Sequence, residues 1–242
     1  MKRYRNYIFD LYGTLIDILT DESDPGLWEK TADWYSRHGA PYGASELRQA
    51  YRLFCAKEQA SDSDPLFEIE LRRVFAALYA AKGGPIREDL TEETVVFFRT
   101  ASTKKMELYP WTRPLLKLLS AAGAGIFLLS NAQACFTVPE LKKLGIAEAF
   151  DGIVLSSDAA VRKPSPAIMD RLLRIYDLRP EDCLMTGNDR GTDIAAAAAF
   201  GMDSLYLETA TSDRARRLPR AKWELTEGEA VKLPAFLGFG TE

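Results

Sequence analysis

Beyond Tyr109-Pro110 the chain alternates between segments of strand length and segments of helical period, and no other feature limits the fold as tightly. The reading is helix over 111–122, strand over 125–129, a short helix over 139–144, strand over 152–155, helix over 166–176, strand over 182–186, helix over 192–200 and strand over 204–207. Strands separated by helices pair in parallel through right-handed crossovers. One earlier segment has the same strand character: Tyr7-Ile8-Phe9 delivers a single carboxylate, Asp10, into a turn that contains Gly13 and Thr14. It has no helix of its own and is assigned to the same sheet. In an open α/β sheet ligands bind outside the carboxyl ends of the strands, so Asp10 reads as a nucleophile or a metal ligand, against the plainer alternative of a turn cap.

Residues 24–103 have a different texture. Apolar residues recur in steps of three and four, at Trp28, Ala32 and Tyr35, at Leu47, Tyr51 and Phe54, and at Phe67, Leu71, Val74 and Leu78. Breaks fall at Gly39-Ala40-Pro41, Ser61-Asp62-Ser63-Asp64-Pro65 and Gly83-Gly84-Pro85. The spacing predicts a block of about four helices with no strand among them, inserted after the first strand. The expected architecture is α/β: a Rossmann-like doubly wound parallel sheet formed by residues 1–16 and 105–242, with an inserted α-helical cap over 17–104.

Composition narrows the function classes. With 242 residues, 47% of them hydrophobic, the chain can bury a core divided between two lobes. A formal charge of -4 argues against general affinity for nucleic acid, which requires a basic face, and leaves small anionic substrates open. The three cysteines, Cys55, Cys135 and Cys183, form no CxxC pair, so neither a disulfide framework nor a zinc site is expected, and a reducing cytoplasm fits. The basic start, Met1 to Asn6, leads into a short apolar run that contains Asp10 and does not read as a signal peptide; no window reaches the length of a membrane span. A monomer or homodimer is expected. The basic tail with Arg214, Arg216, Arg217, Arg220 and Lys222 reads as a solvated face, His38 as a helix-terminal charge, Cys135 as a small buried hydrophobe, and most of the aromatics at 28, 34, 35, 42 and 51 as core.

Parallel strands share one edge for their C-terminal tips, and the polar residues there are Asp10, Ser130-Asn131, Ser156-Ser157-Asp158, and Asn188-Asp189 with Asp193; Lys163 precedes the next helix. Each has a structural explanation by itself, as a cap, a surface lysine or a charge in a first helical turn. Together they bring a cation, hydroxyls and several carboxylates to one crevice. Asp10-Leu11-Tyr12-Gly13-Thr14-Leu15, Ser130-Asn131, Lys163-Pro164 and Gly187-Asn188-Asp189-Arg190-Gly191-Thr192-Asp193-Ile194 resemble, in order and separation, the four motifs of the haloacid dehalogenase superfamily, and the helical insertion resembles its cap of the C1 type.

The resemblance implies a hydrolase in which Asp10 attacks phosphorus or carbon and water opens the resulting ester. Asn131 and Asp193 complete the matched motif residues; Thr14 or Ser130 donates to the substrate anion, and Lys163 neutralises charge. In the phosphatases of the superfamily Mg2+ joins the nucleophile, the carbonyl two residues later and an acid of motif four. The implied metal set is therefore Asp10, the Tyr12 carbonyl, and Asn188, Asp189 and Asp193.

Two departures stand out. Those phosphatases place a second Asp two residues after the nucleophile to protonate the leaving oxygen, and here that residue is Tyr12. Loss of a general acid costs ~100- to 10,000-fold. Tyrosine there resembles the L-2-haloacid dehalogenases, whose leaving halide needs no proton and which require no metal. Yet the tyrosine those enzymes carry two turns beyond the motif-three lysine corresponds to Met169, and no cap arginine aligns with their halide-binding residue. In motif four, Asn188 replaces the usual first Asp, or else Asp189 and Asp193 form the acid pair. The expected function is hydrolysis of a small anionic substrate through Asp10, with dehalogenation as the best-motivated specific form. The alternatives are a Mg2+-dependent phosphatase of low efficiency and a non-catalytic binding protein of the same fold.

Overall fold

The computed structural model describes residues 3–238. The expected core also took in 1–2 and 239–242, which lie outside the described residues. In chain order the first elements are β1 (Asn6–Phe9), β2 (Ile16–Thr20), helices α1 (Pro25–Arg37), α2 (Ala44–Gln59), α3 (Leu71–Ala80) and α4 (Glu88–Ser102), and β3 (Thr103–Leu108). There follow α5 (Thr112–Ala121), β4 (Gly125–Ser130), α6 (Ala134–Lys143), β5 (Gly152–Leu155), α7 (Ser156–Ala159), α8 (Pro166–Ile175), β6 (Cys183–Gly187), α9 (Ala195–Ala198) and β7 (Asp203–Leu207). The chain closes with β8 (Trp223–Leu225), α10 (Glu227–Ala230) and α11 (Leu233–Phe236).

Six strands form one sheet in the order β5-β4-β1-β6-β7-β8, and every pairing in it is parallel. Such a sheet is covered on both faces, which explains why Tyr7, Ile8 and Phe9 of β1 form an unbroken apolar run with no exposed surface. The chain moves outward from β1 in two directions, through β4 and β5 on one side and β6, β7 and β8 on the other. That reversal puts the C-terminal tips of β1, β4 and β6 side by side at the topological switch point.

The four helices α1 to α4 leave and rejoin this sheet through β2 and β3, which pair antiparallel from Ile16↔Leu108 to Thr20↔Thr103. They have their own apolar cluster, in which Tyr35, Val74, Leu78 and Phe98 are fully buried, and α6 contributes Cys135 and Phe136 to it. Trp28, Tyr35, Tyr42 and Tyr51 are buried there as expected, and His38 caps α1, its Nδ1 2.8 Å from the Trp34 carbonyl.

The β2-β3 ribbon was not expected, and the boundaries expected at 16/17 and 104/105 fall inside its strands. Its residues are mostly half exposed and carry cross-strand charge, as in the Asp17–Lys105 pair, so they lack the apolar run of a sheet strand. The helix expected over 139–144 begins at Ala134 and carries Pro139 inside it. The helix expected over 192–200 is a π-helical turn, Arg190–Ile194, followed by the short α9. Within the basic tail, β8 adds an edge strand to the sheet by pairing Leu225 with Leu207. Among the described residues no helix is long and apolar enough to cross a membrane.

Gly152 marks where α8 closes on the sheet: a Cβ there would lie 2.2 Å from Cζ of Tyr176, whose hydroxyl receives the Ile153 N–H at 3.2 Å. Gly152→Ala is expected to cost about 1–3 kcal/mol in chemical denaturation, because the ring must leave its site. An unchanged denaturation midpoint would show that α8 yields freely.

Candidate active site

Asp10 leaves β1 with its N–H still bonded to the Thr186 carbonyl of β6 (2.9 Å), so the sheet aims its carboxylate at the switch point. The next turn folds back tightly, with the N–H groups of Leu15 and Ile16 both reaching the Leu11 carbonyl. Gly13 has φ +82°, and a Cβ on it would stand 2.3 Å from Thr211 Oγ1 and 2.5 Å from Asn188 Nδ2. Both its backbone conformation and its space therefore require glycine.

Lys163 is 1% exposed, and its ammonium donates three hydrogen bonds: to Asp10 Oδ1 (2.8 Å), Asp193 Oδ1 (2.6 Å) and the Leu129 carbonyl (2.7 Å). Ser130 also donates to Asp10 Oδ1, at 3.1 Å. Asn131 grips the backbone of Lys163, receiving its N–H at 2.7 Å and donating to its carbonyl at 3.0 Å. Asp193 Oδ2 accepts the Asp189 N–H at 3.0 Å, while Asp189 turns its own Oδ1 to the Gly191 N–H at 2.6 Å. Asp10, Ser130, Lys163 and Asp193 thus form one hydrogen-bonded unit, with Asn131 holding the lysine and Asp189 holding the motif-four turn.

The electrostatics follow from burial. Desolvation alone would lower the Lys163 pKa, but the charges of Asp10 and Asp193 outweigh it and hold the ammonium above its ordinary value. Burial pushes the Asp193 carboxyl up to about 6, against the pull of Lys163 and with the help of Asp10. One cation thus serves two carboxylates.

The second oxygen of Asp10 has a different environment. Thr14 Oγ1 lies 3.3 Å from both Asp10 Oδ2 and Asn188 Oδ1, and Asn188 is oriented by donating from Nδ2 to Thr211 at 2.9 Å. The Tyr12 carbonyl accepts no hydrogen bond among the described residues. Asp10, Tyr12 and Asn188 line the same cleft, and a carboxylate, a peptide carbonyl and an amide oxygen are a hard-oxygen set of the kind Mg2+ takes. Asp193 is bound to Lys163, and no group of three acidic, His or Cys residues poised for a metal occurs among the described residues. The donor types fit the cation: Asp10, the Tyr12 carbonyl and Asn188 would hold it, with a single carboxylate among them.

The Tyr12 hydroxyl is turned to other work. It donates to Glu140 and lies 3.0 Å from Thr137 Oγ1, both on α6, and burial together with the Glu140 charge raises its pKa. Arg99 of α4 completes the cluster, with Nε 2.6 Å from Glu140 and the guanidinium over the rings of Tyr12 and Phe136. Arg99, Glu140 and Thr211 were absent from the sequence-based candidates: two lie on helical faces that read as ordinary amphipathic pattern, and the third in a basic tail. Of the remaining strand-tip residues, Ser156 and Ser157 staple the loop after β4 by receiving the N–H groups of Ala132 and Ala134, and Asp158 is exposed.

The hydrolase family described as haloacid dehalogenase-like hydrolase matches residues 4–201. The chain belongs to that family. It is 31% identical over 210 residues to a phosphoglycolate phosphatase of Yersinia pseudotuberculosis, covering 85% of this chain and 82% of the relative. In fold it resembles the 2-haloacid dehalogenase of Pseudomonas syringae pv. Tomato DC3000, with a TM-score of 0.64, 21% identity, and 97% and 98% of the two chains covered. It also resembles a HAD phosphatase of Thermococcus onnurineus, with a TM-score of 0.61, 18% identity and the same coverage. The protein is a hydrolase of this superfamily, with the α/β sheet that its sequence pattern implied.

Hydrolysis is expected to fall on the acid side with an apparent pKa near 6, because protonating Asp193 removes one of the two carboxylates that hold Lys163. Asp193→Asn should abolish that limb as well as slow the reaction, and a rate flat from about pH 5 to 8 would refute the assignment. The stability sign is opposite: the folded carboxyl binds its proton more readily than an unfolded one of pKa ~3.9, so this group makes the fold less stable as pH rises from ~4 through 6.

Proposed function

We propose that the protein is a phosphatase of small phosphomonoesters working through a covalent aspartyl phosphate on Asp10. The observation that carries this reading is the asymmetry of the Asp10 carboxylate. One oxygen is fixed by Lys163 and Ser130, and the other meets only the Thr14 hydroxyl among the described residues, which lies equally close to Asn188 Oδ1. The phosphatase relative supports it, since the likeness spans most of both chains.

An Asp10 oxygen bonds to phosphorus as the bond from phosphorus to the ester oxygen breaks, and the alcohol departs. Water then attacks phosphorus, the bond to Asp10 breaks, and inorganic phosphate leaves. Lys163 holds and aims the Asp10 carboxylate, and Ser130 and Thr14 present hydroxyls to the transferring group. Bound Mg2+, held by Asp10, the Tyr12 carbonyl and Asn188, would supply positive charge to the phosphoryl oxygens. No acid stands two residues after the nucleophile, and the Tyr12 hydroxyl is engaged by Glu140, so the ester oxygen takes its proton from water. Esters of acidic alcohols are therefore the better substrates.

Dehalogenation is favoured by Tyr12 alone. Met169, at the position of those enzymes' second tyrosine, is fully buried in α8, and Arg99, the cap arginine nearest Tyr12, is bound to Glu140.

Magnesium-dependent release of p-nitrophenol from p-nitrophenyl phosphate, run beside halide release from 2-chloropropionate, tests the reading. Phosphatase activity that Asp10→Asn lowers by ~1,000-fold or more is expected, and halide release without phosphatase activity would replace it with dehalogenation. Tyr12→Asp should speed hydrolysis of alkyl phosphates by ~10- to 100-fold, with less effect on the p-nitrophenyl ester, whose leaving group needs no proton.

A further inference from the structure

Between the four helices and the sheet edge lies a cavity of about 450 Å3, separate from the smaller cleft at Asp10 but sharing Tyr12 and Asn131 with it. The shared residues give a substrate whose phosphoryl group reaches Asp10 a place here for its remaining atoms, so the charge of the lining bears on which tails are accepted.

The lining is acidic. Arg99 is the only cation among its described residues, and Glu140, buried behind it, already takes that charge: Nε lies 2.6 Å and Nη2 3.4 Å from the two carboxylate oxygens. Glu22 and Glu68 line the same cavity. Glu68 is satisfied by neutral donors, receiving Gln133 Nε2 at 3.2 Å and Ser156 Oγ at 2.9 Å. The Glu22 carboxylate makes no hydrogen bond or ion pair among the described residues. Glu22 is exposed overall and shares the cavity lining with Tyr51; desolvation raises its carboxyl pKa, and the Arg99 charge opposes that rise. A carboxylate at the far end of a substrate would meet two negative charges and a guanidinium already paired. An ammonium would meet aromatic surface and a carboxylate without a hydrogen-bond partner, offset only by the charge of an Arg99 already bound to Glu140.

Resting on the phosphatase reading of the Asp10 cleft, we infer that Glu22 sets tail specificity: the cavity selects phosphomonoesters with an ammonium-bearing tail and rejects carboxylated ones. The preference differs from that implied by the names of the phosphoglycolate phosphatase relatives.

The test is a binding measurement, so it stands apart from whether the protein turns over. Calorimetric titration of full-length Asp10→Asn protein with Mg2+ present compares O-phosphoethanolamine, glycerol 1-phosphate and phosphoglycolate, ligands of similar size with positive, neutral and negative tails. O-phosphoethanolamine is expected to bind roughly tenfold more tightly than phosphoglycolate, the scale of one partly screened ion pair. Adding Glu22→Gln should bring that ratio close to one, and Glu22→Lys should invert it. A general loosening of the cap would weaken all three ligands together and leave the ratio in place. Tighter binding of phosphoglycolate or glycerol 1-phosphate, a ratio indifferent to Glu22, or no binding by any of the three overturns the inference. Failure of p-nitrophenyl phosphate hydrolysis by the unmodified protein would instead remove the phosphatase reading.

Discussion

The buried ammonium of Lys163 is the constraint on which the rest of the site depends. A lysine with 1% exposure loses nearly all its hydration, and the fold tolerates it only because three oxygens replace the water. Those oxygens come from the tip of β1, the end of β4 and the turn after β6. No local segment supplies them, so the parallel sheet must form with its order reversing at β1 before the charge can be satisfied. The same requirement aims Asp10: its Oδ1 is held by the ammonium, which leaves Oδ2 on the open side. Fold stability and preparation of the nucleophile are one arrangement on the proposed reading.

A second buried cluster, Tyr12, Glu140 and Arg99, joins the helical insertion to the sheet. Glu140 is 6% exposed and would be costly without partners, yet its partners come from the Asp10 loop and from α4. This pairing explains two features at once. It fixes the helices over the cleft, and it occupies both the hydroxyl that could act as an acid and the cation that could receive an anionic tail. Removing Glu140 would therefore alter the cap, the Tyr12 hydroxyl and the charge of the cavity together.

How much of this could be read from residues alone depends on the range of the forces involved. Five of the sheet strands and their long helices were legible because burial on both faces leaves continuous apolar runs, as in Gly125–Ser130 and Gly152–Leu155, whereas the short edge strand β8 in the basic tail was not. Asp10, Ser130, Lys163 and Asp193 were legible because strand tips of a parallel sheet share an edge whatever the loops do. The β2-β3 ribbon was not, since its pairing comes from cross-strand charges 88 positions apart in the case of Asp17 and Lys105. Nor was the Arg99–Glu140 pair, whose members sit on two unremarkable helical faces and meet only through tertiary packing. Asn131 was read only as a strand-tip residue of the second motif, and its contact with the lysine backbone depends on tertiary packing.

The two departures in the motifs act in the same direction. Tyr12 stands where the phosphatases of the superfamily carry an acid, and Asn188 stands where motif four usually begins with one. Each change takes one negative charge out of the cleft. Two carboxyl groups, Asp10 and Asp193, already face a single Lys163, and further carboxylates would repel a dianionic phosphoryl group unless a cation offset them. An amide and a carbonyl hold Mg2+ less strongly than carboxylates, so on the proposed reading the cation would add less charge stabilisation here than in a site with two acids. The consequence falls on the leaving group. On the proposed phosphatase reading, with weaker metal activation and no acid at position 12, the barrier would rise with the basicity of the departing alcohol, and the tail that tunes that basicity would be the main determinant of rate.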